Sequence, residues 1–161
     1  MELLLGVSYS HKVTIRFNNQ DDCNLFGNYL QRLVTKNHLN RTSGYDIDTY
    51  TVDKNYFSQQ SDSYEPDWYL SEIFDHGFDI DNNYIYFDVD DYNETVVLDS
   101  CGYGPIKEFL IGYALEKYNA VEFYSEFRGC QGQEESKINS YYNKAKDEFE
   151  YMFIPDWVSN I

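Results

Sequence analysis

Basic residues are scarce: twelve Lys and Arg stand against twenty-eight Asp and Glu, a net charge of −16. So few cations argue against a chain that grips nucleic-acid phosphates or an anionic membrane surface. Cysteine is scarce as well. Cys23, Cys101 and Cys130 are odd in number and unrelated in spacing, which gives neither a disulfide framework nor a zinc pattern. No apolar run approaches the roughly 20 residues of a membrane-spanning helix. The opening MELLLGVSYSHK has no basic leader before its short apolar run, so it does not read as a signal peptide. These features point to a cytoplasmic, reducing setting. Proline and alanine are few while Asn, Asp, Tyr, Lys and Ile abound, a composition that suits an AT-rich genome.

Catalytic motifs are also missing. There is no G-x-S-x-G elbow and no H-E-x-x-H. RGCQGQ at 128–133 fits neither G-x-G-x-x-G nor a P-loop, and reads as a turn. Of the histidines, His11 begins a predicted strand, while His38 and His76 end predicted helices, where imidazole suits the local dipole. Cys101 precedes a predicted helix and is the better thiolate candidate, although a buried small residue is the simpler reading. DIDNNYIYFDVD sets Asp79, Asp81 and Asn83 at positions one, three and five of a calcium loop, with Asp90 at twelve. Tyr84 stands where that loop needs glycine, and residues 84–90 alternate like a strand, so the chain is expected to fold without calcium or any other metal.

Aromatic residues are plentiful, at 19% of the 161 residues, and they argue for a packed core in spite of the charge. HKVTIRFNN alternates Val13, Ile15 and Phe17, which predicts a strand over 12–18. Leu25, Phe26, Tyr29, Leu30, Leu33 and Val34 recur at helical spacing and predict a helix over 22–37, with Asp21 or Asp22 capping it. EPDWYLSEIFDHG reads as a short helix, and YDIDTYTV holds a short strand. Strands follow at 83–90 and 94–100 around a turn at 91–93, then a helix over 106–118 and a strand over 120–127. RGCQGQEES reads as a loop, and KINSYYNKAKDEFEYMF as a C-terminal helix whose late residues can be extended. The order β-α-β-β-α-β predicts a single α+β domain over 1–161 with a ferredoxin-like split βαβ core. Its antiparallel sheet carries helices on one face, with residues 39–80 as an acidic insertion or sub-lobe after the first helix. The stretch from the strand at 94–100 through GYGPIKEFLIGYALEKYNAVEFYSEFRGCQG resembles the ferredoxin-like domain of some phage and mobile-element proteins, which implies the same fold.

The charge is segregated. Residues 1–45 sum to +2, residues 46–99 to −14 and residues 100–161 to −4. DIDNNYIYFDVDDYNETVVLD at 79–99 carries seven carboxylates and no Lys or Arg. Like charges across a strand pair repel, so their retention points to a use outside the chain. Asp88 and Asp90 project from one strand face about 6.6 Å apart, an interval comparable to that between phosphates on one DNA strand. Asp79, Asp81, Asp91, Glu94 and Asp99 extend the charge, and Tyr84, Tyr86 and Tyr92 supply rigid aromatic contacts beside it.

In size, charge and tyrosine richness the chain resembles the acidic DNA-mimic inhibitors of phages and mobile elements, the anti-restriction and anti-CRISPR proteins among them. That resemblance implies a non-enzymatic binding protein without a cofactor. Its carboxylates would occupy the basic nucleic-acid site of a host defence nuclease, with no direct binding to nucleic acid or membrane. An immunity protein or antitoxin that neutralises a basic toxin shares these electrostatics. A small enzyme using Cys101 or a histidine is the alternative from another class.

Overall fold

The computed structural model describes residues 7–37, 49–52, 84–101, 105–131 and 134–159. In chain order these form β1 (Val7–Phe17), α1 (Gln20–Leu33), β2 (Val34–Asn37), β3 (Thr49–Val52), β4 (Tyr84–Asp90) and β5 (Thr95–Cys101). They continue as α2 (Pro105–Lys117), β6 (Ala120–Gln131), β7 (Glu134–Asn143), β8 (Glu148–Tyr151) and α3 (Asp156–Ser159). The strands make one sheet in the order β2-β3-β4-β5-β1-β6-β7-β8, antiparallel throughout. The protein is thus a mixed α+β fold built on a multi-stranded antiparallel sheet.

The period-two pattern decides which side of the sheet is dry. Val13, Ile15 and Phe17 of β1, Val96 and Leu98 of β5 and Phe123 of β6 are buried together with Phe26, Tyr29, Leu30 and Leu33 of α1 and Leu110, Tyr113 and Ala114 of α2. Burying such side chains stabilises the fold by about 1.5–3 kcal/mol each. The two helices meet through stacked aromatic rings, Tyr29 on Tyr113 at 4.8 Å between centroids. Phe26 packs against Phe17 and Tyr118, each at 5.4 Å. Leu25, expected on the apolar stripe of α1, is exposed.

Several sequence expectations are corrected. The first helix begins at Gln20, capped by Asn19, whose Oδ1 accepts from the Asp22 N–H at 2.8 Å, so neither Asp21 nor Asp22 is the cap. It ends at Leu33, because β-branched Val34 and Thr35 turn extended and pair with Val52 and Thr51 of β3. β3 is the only described part of the acidic insertion at 39–80, and the short helix read in EPDWYLSEIFDHG lies outside the described residues. The predicted C-terminal helix is instead the hairpin β7–β8, in which the late residues are extended as the sequence allowed. Asn143 makes the turn: its Oδ1 accepts from the Lys146 N–H at 3.1 Å, and Asp147 takes a left-handed φ of 51°. The expected loop at 128–136 is mostly strand, with β6 and β7 paired as far as Gln131 opposite Glu134.

Candidate acidic interface

The β4–β5 hairpin sets the acidic corner. In β4, Phe87 and Val89 pack against the core, so alternation sends Tyr86, Asp88 and Asp90 to the opposite face, away from the helices. The turn follows at 91–94. Asp90 holds it: one carboxylate oxygen accepts from the Asn93 N–H at 3.1 Å, the other from Asn93 Nδ2 at 2.7 Å. The Glu94 N–H donates to the Asp91 carbonyl at 3.3 Å, and the Glu94 carbonyl accepts from the Phe17 N–H at 2.8 Å. Glu94 itself lies at φ 59°, where glycine or asparagine fits better. At the tip, Asp91 is exposed and Tyr92 is 82% exposed.

This turn abuts the N-terminus of α1. Glu94 shares a polar notch with Asn19, Gln20 and Asp21. Asp21 and Asp22 occupy the first turn of the helix, where the dipole favours carboxylates. Beneath them the Cys23 thiol donates to the Thr95 carbonyl at 3.4 Å. Burial pushes its pKa up to about 12, with the charges of Asp91, Asp90 and Glu94 adding to the effect. Cys23 is therefore an inert thiol beside a concentration of negative charge.

On the sheet face away from the helices, the acids have cationic neighbours. Asp99 stands opposite Tyr86 on one side and Lys12 on the other, and Glu126 stands across from Lys12 on β6. Four residues along β1, Arg16 Nε donates to Glu122 Oε1 at 2.5 Å. Glu122 is 6% exposed and also accepts from the Tyr141 hydroxyl. Burial first, and then the hydrogen bond to Glu122, raises the Tyr141 pKa. The chain after β8 lies on this same face. The Phe153 ring sits 5.1 Å from that of Tyr141, and Val158 lines a cleft with Lys12, Thr14, Val97, Tyr124 and Glu126. β1 therefore sets Lys12 beside Asp99 of the acidic segment and Arg16 against Glu122 of β6.

The sequence-predicted site residues divide accordingly. Asp79 and Asp81 lie outside the described residues, and Tyr84 is described in its backbone alone. Asp88, Asp91, Tyr92 and Glu94 gather at the hairpin end with Asp90 as the brace of the turn, whereas Asp99 stands between Lys12 and the exposed Tyr86 farther along the sheet. Asp21 and Asp22 join the corner without having been singled out. Their chain position sets them far from the hairpin, and in the sequence they suggest only a helix cap. Among the described residues no group of three or more His, Cys, Asp or Glu side chains is placed to hold a metal ion. Asn83, Asp79 and Asp81 of the calcium-like loop are not among those described. Of the enzymatic candidates, His11 lies on β1 opposite Ser100 and Phe127, and Cys101 ends β5; their side chains, and His38 and His76, are outside the description. No described helix is long and apolar enough to cross a membrane.

No family model, curated protein or solved structure matches this chain.

Proposed function

We propose that this protein is an acidic inhibitor that occupies the basic nucleic-acid site of a defence nuclease, as an anti-restriction or anti-CRISPR protein does. The reading rests on one observation. The β4–β5 turn and the first turn of α1, distant in sequence, bring Asp21, Asp22, Asp91 and Glu94 to one corner beside the exposed Tyr92. Asp88 continues the charge along β4. Carboxylates there can pair with the Arg and Lys that otherwise hold phosphates, and a rigid tyrosine adds contact area at small entropic cost. The frame proposed for this corner is the split βαβ, ferredoxin-like core within a single domain. The strand order β4-β5-β1-β6, with α1 and α2 on one side, supports it. Action is by occupancy, so neither cofactor nor covalent step is involved.

The test is competition. Labelled duplex DNA bound to a CRISPR effector or a restriction endonuclease is titrated with the protein. Displacement is expected, with potency falling steeply as salt rises. Asp91→Lys with Glu94→Lys should weaken it far more than Glu116→Lys with Glu148→Lys, which changes the net charge equally. Equal potency of the two double variants would reduce the corner to a solvated surface.

A further inference from the structure

The opposite edge of the sheet carries a second surface. Among the described residues β8 pairs with β7 alone. Alternate residues of such an edge strand turn both N–H and C=O outward, ready for another strand. On the helix side, a shallow groove of about 470 Å³ runs between Ile111 and Leu115 of α2 and Phe123, Tyr142 and Phe149 of the sheet. Phe149 is 57% exposed and Tyr151 is 71% exposed, and Ile138 of β7 is exposed too. Exposed aromatic side chains beside an open strand edge give an incoming strand apolar surface to cover.

Charge selects the occupant. The β7–β8 register places Glu148 and Glu150, both exposed, on the face opposite Phe149 and Tyr151. A second copy pairing there would set these glutamates against their own equivalents, between two chains that each carry −16. We propose that β8 accepts, as a ninth strand, an extended segment of a partner protein in which apolar residues alternate with Lys or Arg. The apolar set lies on Phe149 and Tyr151 toward the groove, and the basic set stands across from Glu148 and Glu150. Main-chain hydrogen bonds hold the segment and alternation selects it. The site is separate from the acidic corner: β4 and β8 are five strand spacings apart, about 24 Å.

The probes are acetylated, labelled octapeptides: KIKIKIKI, its acidic counterpart EIEIEIEI, and KKKKIIII, which keeps the composition and loses the alternation. Binding to the full chain is followed by fluorescence anisotropy at physiological salt, and the site is located by backbone amide shifts. KIKIKIKI is expected to bind at least tenfold tighter than KKKKIIII and to shift the amides of 148–152. Glu148→Lys with Glu150→Lys should lose that affinity at least tenfold and transfer preference to EIEIEIEI. Tyr151→Thr, at an exposed position and with strand propensity kept, should weaken KIKIKIKI several-fold without changing the melting temperature. Equal binding of KIKIKIKI and KKKKIIII would overturn the proposal, as would shifts confined to residues 88–94. Sedimentation showing a dimer that Tyr151→Thr dissociates would assign the edge to a second copy instead. Failure at this edge leaves the displacement of DNA through the acidic corner untouched, and shifts at 88–94 would assign the basic peptide to that corner instead.

Discussion

Glu122 sits between a guanidinium and a phenol on a face that the C-terminal segment partly covers. Arg16 is about one-third exposed while Glu122 is nearly enclosed, so losing the cation leaves a buried carboxylate held by the Tyr141 hydroxyl without its counter-charge. Arg16→Met should cost about 2–3 kcal/mol in urea unfolding, the discount from a fully buried pair reflecting the solvated arginine. Adding Glu122→Gln should recover part of that loss, because the stranded charge goes with it. Cys23 and Tyr141 contribute to the alkaline limit. Both pKa values are raised in the folded state, Cys23 to about 12. Their contribution is therefore complete below pH 9 and lost as the pH climbs toward 12, where deprotonation favours the unfolded chain. Unfolding free energy measured from pH 8 to 11.5 should fall along that range, and less steeply in Cys23→Ala. A slope unchanged by that substitution would place the titration elsewhere.

At the level of elements, the approach of α1 to β4 rests on Gly27. A Cβ there would meet Val89 Cγ2 at 2.8 Å. Alanine improves helix propensity by about 1 kcal/mol, yet forcing a methyl against a β-branched neighbour costs about 1–3 kcal/mol. Gly27→Ala should therefore leave stability unchanged or lower it by up to about 2 kcal/mol. With Val89→Ala the same change should become stabilising, so the double variant should exceed the sum of the singles. The elements of the central sheet were legible because Val13, Ile15 and Phe17, Phe87 and Val89, and Phe123 follow a clean two-residue alternation. The C-terminal hairpin was not. Ile138, Tyr141 and Tyr142 also satisfy helical spacing, and what decides between the periods is pairing with β6 and the Asn143 turn, neither of which is local. The acidic corner was half legible. Asp91 and Glu94 stood out within a charged stretch, whereas Asp21 and Asp22 join them only once Phe17 anchors the hairpin turn beside α1.

For the whole molecule, −16 charges on 161 residues act in two directions at once. Within the chain they repel, and that repulsion opposes the compact state. Toward a basic partner they attract and speed encounter. Salt weakens both, since the screening length falls from about 10 Å at 0.1 M to about 3 Å at 1 M. Stability and binding should therefore respond to sodium chloride with opposite signs: the melting temperature rises while the DNA-displacing potency falls. Lys12 and Arg16 already offset acids on the covered face, so the repulsion that salt relieves is expected to include the outlying corner. Asp88→Asn with Asp91→Asn and Glu94→Gln removes three of its charges without touching Asp90, whose two oxygens hold the turn. This variant should start with a higher melting temperature, gain less from salt, and displace DNA poorly at any ionic strength. Calorimetry and the competition assay on the same samples measure the two halves together. A variant that gains stability yet keeps full potency would show that the corner's charge serves no partner.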